Sequence, residues 1–174
     1  MKKNDLTQIA LSLGGNLGDV KLNFDYAVSK FKENGFREIR ISSLYKTKPV
    51  ECPPDSPDFI NAAMTAKCPI SVQGLFILCK HIEAECGRDM AGERNTPRPL
   101  DIDIIIYGDM VFSDGKIQVP HKEAKNRLFV LIPLNEIAPS LISPDTGETV
   151  SEIIRPFKTT ELYKIISKNK LKFA

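Results

Sequence analysis

Two stretches with the periodicity of amphipathic helices divide a series of strand-like stretches in the first two thirds of the chain. Apolar residues recur at helical spacing over 19–34 and again over 71–86. Alternating or continuous apolar residues predict strands over 8–13, 37–47, 59–68 and 100–107. This β-α-β-β-α-β order predicts an α+β fold, a ferredoxin-like α/β sandwich with added hairpin strands and C-terminal helices.

The bulk composition is that of an ordinary soluble globular chain. Its 174 residues, 42% hydrophobic and 26% charged, hold enough apolar material for one sizeable core. We therefore expect a single domain over 1–174, in which 155–174 form a basic C-terminal tail or helix. Lysine and arginine outnumber aspartate and glutamate by only 24 to 22, so the charge does not argue for nucleic acid or membrane binding, and we expect neither as a partner.

Nothing in the sequence predicts a membrane or secreted protein. The opening residues are polar, and no apolar run approaches the roughly 20 residues that a membrane helix needs. We expect a cytoplasmic protein. The four cysteines agree with this, because Cys52, Cys68, Cys79 and Cys86 form no C-x-x-C pair and have no histidine at zinc-finger spacing. Buried free thiols are the prediction.

Two aspartates interrupt the most apolar predicted strand. Successive side chains of a strand alternate between its faces, so Asp101 and Asp103 project together while Leu100, Ile102 and Ile104 face the core. Adjacent carboxylates repel each other, and a divalent cation between them removes the repulsion. Oxygen ligands alone favour magnesium or manganese over zinc. Two solvated aspartates on an edge strand are the alternative interpretation.

Three arginines precede this strand in the polar loop 88–99. Arg88, Arg94 and Arg98 carry guanidinium groups that match phosphate oxygens in bidentate geometry. Carboxylate-held magnesium beside several arginines suits phosphoryl transfer, whose catalysis is mostly positioning and charge stabilisation. A solvated charged loop is the alternative. This loop and the proline-rich loop 48–58 are candidate lids that would exclude water.

Neither familiar glycine-rich nucleotide motif is present. The chain has no G-x-x-x-x-G-K-S/T segment, and Gly14-Gly15-Asn16-Leu17-Gly18 differs from G-x-G-x-x-G. We interpret the latter segment as a tight turn between a strand and a helix. A bound ATP would therefore be held by side chains around the sheet.

Six segments of the chain share the order and spacing of a known family. They are 11–18 (LSLGGNLG), 43–47 (SLYKT), 58–63 (DFINAA), Ile82-Glu83 with Gly87-Arg88, Pro97-Arg98 with Leu100-Asp101-Ile102-Asp103-Ile104, and 119–139, which begins Val119-Pro120-His121. With these segments the chain resembles the 6-hydroxymethyl-7,8-dihydropterin pyrophosphokinases, enzymes of folate synthesis, over roughly residues 8–147. The P-R-x-L-D-I-D-I segment with V-P-H downstream is the most specific part.

The resemblance implies both a fold and a reaction. The fold is a ferredoxin-like sandwich with extra strands, and the reaction moves the β,γ-pyrophosphoryl unit of ATP to the pterin hydroxymethyl group and releases AMP. Asp101 and Asp103 would bind two magnesium ions that bridge the triphosphate and the attacking hydroxyl. Arg88 and Arg98 would stabilise the transferring phosphates. ATP and 6-hydroxymethyl-7,8-dihydropterin would be the small-molecule partners of a monomer.

The resemblance also implies two binding pockets. The pterin would stack between Phe59 and Phe129, with its aminopyrimidinone edge bonded to Asn61 and to backbone groups near Thr47 and Val50. The nucleotide site would be lined by Glu83, Arg94, Ile104, Lys116, His121 and Arg127. Without the resemblance, both phenylalanines are interpreted as core and His121 as a structural histidine.

Three positions depart from the family pattern. Asn95 stands where an aromatic is frequent, and Met90 and Lys80 stand where arginine and glutamine are frequent. These departures affect nucleotide affinity and loop closure more than the chemistry. Two other functions stay open. A two-metal nuclease or phosphohydrolase would also use D-x-D but needs more carboxylate or histidine ligands. A ferredoxin-like RNA-binding module would show an R-G-F-G-F-V type of strand, which the sequence lacks.

Overall fold

The computed structural model describes residues 6–49, 56–89 and 96–157, and the backbone of 168–169. These ranges contain eight strands, four α-helices and one short 3-10 turn. In chain order they are β1 (Thr7–Gly15), α1 (Val20–Glu33), β2 (Arg37–Ile41), β3 (Leu44–Thr47), β4 (Phe59–Cys68), α2 (Val72–Glu85), β5 (Asp101–Tyr107), β6 (Phe112–Ser113), β7 (Gln118–Val119), the 3-10 turn (Ala124–Asn126), α3 (Leu128–Ile137), α4 (Val150–Ile154) and β8 (Lys168–Asn169).

The main sheet is antiparallel and has the strand order β5-β1-β4-β3-β8, with β2 also paired to β4. Strands β6 and β7 form a separate hairpin, as predicted. The register places Gly14 of β1 between Asn61 of β4 and Asp101 of β5. An antiparallel sheet with helices packed on it confirms the predicted α+β class, and its register brings a predicted pterin residue close to a predicted metal residue.

Helices cover both faces of the sheet, and alternate residues of β1 face them. Ile9, Leu11 and Leu13 pack in a cluster with α1 and α2, whereas Ala10 packs in a second cluster with α3 and α4. All four side chains are 0% exposed. Burying a leucine or isoleucine contributes about 1.5–3 kcal/mol, so β1 is the centre of the fold and the strand on which the site residues align.

Helix α2 begins and ends where the sequence predicts. Ser71 Oγ accepts a hydrogen bond from Gly74 N at 3.2 Å, which caps the first turn. Gly87 follows the helix with a φ of +86°, a left-handed conformation that glycine adopts without strain. The resulting turn lets Arg88 N donate to Glu83 O at 3.1 Å, which starts the polar loop beside the end of the helix.

The prediction of one strand over 37–47 is wrong, because β2 and β3 are separated at Ser42 and Ser43. Ser42 Oγ accepts a hydrogen bond from Ala63 N at 2.9 Å, and Ser43 N donates to Glu136 Oε2 at 3.2 Å. The Ser42 N–H still donates to Ala63 O at 3.0 Å, but side-chain oxygens accept from Ala63 N and Ser43 N, so the regular ladder is interrupted.

The prediction of helices near the C-terminus is confirmed only for α4. Lys168–Asn169 form strand β8, which pairs with Leu44 and Tyr45 of β3. A strand is favoured there because β3 otherwise presents unpaired backbone groups at the edge of the sheet. The positions 158–167 and 170–174 lie outside the described residues.

No helix in the described ranges is long and apolar enough to cross a membrane. Cys68 and Cys79 are buried free thiols, as predicted, whereas Cys86 is a free thiol that is only half-buried. Cys52 lies outside the described residues. Burial raises the pKa of the Cys79 thiol, and the nearby Glu83 carboxylate adds to the rise, so this thiol stays protonated and inert.

Candidate active site

Asp101 and Asp103 lie on one side of β5, at the edge of the sheet. Ile102 between them is 2% exposed and packs in the cluster under α1 and α2, together with Leu100 and Ile104. The predicted alternation is therefore confirmed. The alternative of solvated aspartates is right about the edge strand but wrong about solvation, because the Asp101 side chain is only 17% exposed and Asp103 is half-buried.

Two arginines neutralise Asp101. Arg88 Nη1 contacts Asp101 Oδ1, and Arg98 Nε lies 2.8 Å from Asp101 Oδ2 in an ion pair whose N–H is not aimed at the oxygen. All three side chains are mostly shielded from water, so these pairs are screened less than pairs on an open surface. The structure thus brings together three of the residues that the sequence predicted to be catalytic.

Asp103 has fewer positively charged partners than Asp101. Among the described residues it has no hydrogen bond or ion pair. Burial and the adjacent Asp101 carboxylate raise the pKa of Asp103, and the neighbouring His121, Lys80 and Arg127 side chains oppose the rise. A bound cation would therefore stabilise this carboxylate strongly.

A fully buried carboxylate, Glu83, lies behind the aspartates at the end of α2. Its Oε1 accepts hydrogen bonds from Ile102 N at 2.7 Å and from Lys80 Nζ at 2.8 Å, and its Oε2 lies 2.9 Å from Arg88 Nη1. Burial raises the pKa of Glu83, and Lys80, the Ile102 amide and Arg88 oppose the rise. Sequence reasoning missed Lys80 as the partner of Glu83, although their spacing of three residues on a predicted helix was a usable signal.

Asn16, in the turn after β1, connects the bases of the two predicted lid loops. Its Oδ1 accepts a hydrogen bond from Arg98 N at 2.8 Å, its Nδ2 donates to Pro57 O at 3.1 Å, and its own backbone N–H donates to Arg98 O at 2.9 Å. Gly15 permits this approach, because a Cβ there would lie 2.5 Å from Pro99 O. The predicted connection between strand and helix is confirmed for 16–18, but Gly14 and Gly15 belong to β1. No local pattern marked Asn16 as a connector.

Two of the predicted pterin residues contact each other on neighbouring strands. Asn61, 3% exposed, donates from Nδ2 to Thr47 Oγ1 at 2.8 Å. The missing side chain of Gly14 leaves room for the amide, since a Cβ there would lie 3.3 Å from Asn61 Oδ1. Val50, predicted to act through its backbone, lies outside the described residues.

The two predicted pterin platforms, Phe59 and Phe129, are both half-buried. A guanidinium group lies over each ring. Arg98 Cζ is 5.5 Å from the Phe59 centroid, and Arg127 Cζ is 5.7 Å from the Phe129 centroid. Phe129 also packs at the margin of the cluster under α3, so only part of its ring is available to a ligand.

The predicted nucleotide-binding residues other than Glu83 differ in burial and in their position relative to the aspartates. His121 and Arg127 flank the 3-10 turn before α3, and His121 Nδ1 accepts a backbone N–H at 3.3 Å, which makes Nε2 the donor nitrogen of the neutral ring. Ile104 is 6% exposed, so its side chain belongs to the core. Lys116 is exposed in the β6–β7 turn, and no contact between described residues joins its side chain to the aspartates. Arg94 lies outside the described residues.

The candidate metal ligands are the two carboxylates of Asp101 and Asp103. Within the described part of the chain, no three histidine, cysteine, aspartate or glutamate side chains form a group that could hold a metal ion. Asp101 and Asp103 alone suit magnesium, which keeps several waters and completes its shell with phosphate oxygens. A two-metal nuclease site would need more protein ligands.

Comparison with known proteins agrees with this chemistry. Residues 10–139 match the sequence profile of the 7,8-dihydro-6-hydroxymethylpterin-pyrophosphokinase (HPPK) family. A 2-amino-4-hydroxy-6-hydroxymethyldihydropteridine pyrophosphokinase of Methylorubrum extorquens is 37% identical over 150 residues, which are 86% of this chain and 92% of the relative. The mitochondrial folate synthesis bifunctional protein of Arabidopsis thaliana is 38% identical over 139 residues, 80% of this chain, but the match spans only 25% of that longer protein.

A solved structure agrees with the fold. A crystal structure of Plasmodium falciparum HPPK-DHPS superposes with a TM-score of 0.72 at 14% sequence identity, covering 94% of this chain and 48% of that one. At this identity the likeness shows the fold alone. The profile match and the Methylorubrum relative, however, each cover most of the sequence. The chain therefore belongs to the 7,8-dihydro-6-hydroxymethylpterin-pyrophosphokinase family.

Proposed function

We propose that this chain transfers the β,γ-pyrophosphoryl unit of ATP to the hydroxymethyl group of 6-hydroxymethyl-7,8-dihydropterin and releases AMP, in folate synthesis. The observation that carries the proposal is the Asp101–Asp103 pair with Arg88 and Arg98 on Asp101, in a member of this family. The two alternative functions, a nuclease or phosphohydrolase and an RNA-binding module, have no support. Three relatives that this chain matches over most of their length are named as pyrophosphokinases.

Asp101 and Asp103 would hold magnesium, with ATP as the co-substrate. The metal supplies charge neutralisation and polarisation of the transferring phosphoryl group. Arg88 and Arg98 now pair with Asp101 and would stabilise the transferring phosphates, because guanidinium groups match phosphate oxygens in bidentate geometry.

The pterin would lie between Phe59 and Phe129, where flat rings can replace the guanidinium groups that now cover the phenyl faces. Asn61 can donate and accept at once, which suits the aminopyrimidinone edge. Its contact with Thr47 restrains the amide before the ligand arrives. Backbone groups near Val50 are proposed to complete the pocket.

The nucleotide would be held by Arg94, Lys116, His121 and Arg127, with Glu83 supporting the site from behind. His121 and Arg127 lie close enough to Asp103 to affect its pKa, which supports their assignment to the phosphate region. Because the Ile104 side chain is in the core, we assign to Ile104 a backbone contact only.

The proposal extends to the protein as a whole. The strand order β5-β1-β4-β3, with α1 and α2 on one face, supports a ferredoxin-like sandwich, to which the β6–β7 hairpin, α3 and α4 are added. We propose that residues 1–174 act as one domain, and that the enzyme is a cytoplasmic monomer with no nucleic acid or membrane partner.

Phosphorus NMR of the reaction products tests the proposed reaction. With ATP, magnesium and 6-hydroxymethyl-7,8-dihydropterin, attack at the β-phosphorus yields AMP and a pterin that carries both the β- and γ-phosphates. ADP with a monophosphorylated pterin would overturn the pyrophosphokinase assignment. The matched control omits the pterin, because steady ATP cleavage without it would identify a phosphohydrolase instead.

A further inference from the structure

Glu83 is a buried carboxylate that contacts two cations. Its side chain is 0% exposed, and a buried charge is unfavourable unless it is paired and hydrogen-bonded. Lys80 Nζ lies 2.8 Å from Oε1 and 2.9 Å from Oε2, so it contacts both oxygens. Arg88 Nη1 contacts Oε2 alone, at 2.9 Å. The Ile102 amide supplies the remaining hydrogen bond.

Arg88 is shared between two carboxylates. The same Nη1 atom that contacts Glu83 also contacts Asp101 Oδ1. If Nη1 is to bind a phosphate instead, it must leave both carboxylate oxygens. In a shielded site the attraction between opposite charges is strong, so an otherwise uncompensated Glu83 would retain the guanidinium group.

Lys80 is placed to balance the charge of the Glu83 carboxylate when Arg88 moves away. Its ammonium lies 5.7 Å from the centroid of Phe76, its side chain is 27% exposed, and it meets Glu83 from the preceding turn of α2. Lysine has three N–H donors, no acceptor and a positive charge, so at this position it can neutralise a carboxylate as well as donate hydrogen bonds to it.

We propose that Lys80 is a positioning residue that balances the charge of Glu83 and thereby releases Arg88 to the bound nucleotide. Glu83 stays in place through Lys80 and the Ile102 amide, and this amide belongs to the residue between the two aspartates. Lys80 thus keeps the spacing of Asp101 and Asp103 while Arg88 moves. The identity of the ligand rests on the proposed function, but the role of Lys80 is decided by binding measurements alone.

A double-mutant cycle tests this role. Calorimetry measures the affinity of a non-hydrolysable ATP analogue with magnesium for the wild type, Lys80→Met, Glu83→Gln and the double variant. Lys80→Met should weaken binding about tenfold or more, because Glu83 then retains Arg88. In the Glu83→Gln background the same change should have an effect of less than about threefold, because no buried carboxylate competes for Arg88. Lys80→Arg should restore most of the affinity.

Lys30→Met is the matched control, since Lys30 forms an ion pair with Glu33 at the same spacing of three residues on α1. It removes the same charge and should leave the affinity unchanged. Equal losses from Lys80→Met in both backgrounds would mean that Lys80 contacts the nucleotide directly, and this overturns the proposal. If Lys80→Met lowers the Tm but leaves the affinity unchanged, Lys80 has only a structural role, and the proposal is overturned.

The same experiment separates this proposal from the proposed function. A wild type that binds the analogue but forms no AMP refutes the pyrophosphokinase assignment, and the cycle still decides the role of Lys80. An active enzyme whose Lys80→Met variant binds normally refutes the role of Lys80 alone. A wild type that does not bind the analogue refutes both.

Discussion

Replacing Gly15 by alanine places a methyl group 2.5 Å from the carbonyl oxygen of Pro99 and 3.2 Å from its carbon. Ordinary contacts of a Cβ begin at 3.4 Å, so the loop backbone must move by about 1 Å. The obstacle is a backbone atom and not the end of a flexible side chain. Overpacking of this kind typically costs about 1–3 kcal/mol.

The displaced segment is the one that carries Arg98. The Arg98 carbonyl accepts hydrogen bonds from Asn16 N at 2.9 Å and Leu17 N at 3.3 Å, so the turn and the loop are attached to each other. A shift of Pro99 therefore moves Arg98 and the start of β5. A misplacement of 1 Å can lower turnover about 100-fold. We expect Gly15→Ala to lose activity by about that factor.

The assay is AMP release at saturating substrates together with thermal unfolding. Gly74→Ala is the matched control, because its Cβ would meet atoms at 3.5 Å or more inside α2. Alanine there should raise the Tm slightly, since it stabilises a helix by up to about 1 kcal/mol relative to glycine. Gly15→Ala with both a wild-type Tm and wild-type turnover would refute the reasoning.

Three further changes test the metal, the pterin platforms and one helix end. Asp103→Asn keeps the shape but removes the charge, so turnover at saturating magnesium should fall by about 100-fold or more without loss of the fold; near-normal turnover would contradict the metal assignment. Phe59→Leu and Phe129→Leu should each weaken pterin binding by about 0.5–1.5 kcal/mol in calorimetry with little change in Tm; unchanged affinity with a lower Tm would make both residues core. Hydrogen bonds from the backbone and hydroxyl of Thr149 hold the pKa of Glu152 below its usual 4.5. The stability advantage of the wild type over Glu152→Gln is therefore present above pH 4.5 and lost as the pH falls through the lower folded-state pKa; a difference in urea midpoint that does not change with pH would contradict this.

Elements with one clear periodicity could be predicted with their bounds. Phe59–Cys68 is the strand that the sequence indicates, and Val72–Glu85 with its two capping residues is the predicted helix, because each segment has one clear local pattern. The break at Ser42 could not be predicted in this way. It depends on a hydrogen bond from Ala63, 21 residues away, and a local pattern does not contain such a partner.

The same limit applies to the candidate site. The Asp101–Asp103 pair and the arginines of the preceding loop follow from adjacent residues and general chemistry. Asn16, in contrast, bonds to partners 41 and 82 residues away, and its role depends on how β1 meets both loops. The contact between Lys80 and Glu83 could be predicted in part. Their spacing of three residues is visible in the sequence, but the burial of Glu83 depends on the tertiary fold.

Two hydrogen bonds occupy backbone groups on the outer side of β5. β5 is the last strand of the sheet in the described residues, and an apolar edge strand can accept a strand from another molecule. Glu83 covers the Ile102 amide, and the His121 N–H covers the Ile105 carbonyl at 3.0 Å. Residues assigned to the nucleotide site thus also close this edge, and a variant that loses Glu83 exposes a template for intermolecular β-pairing.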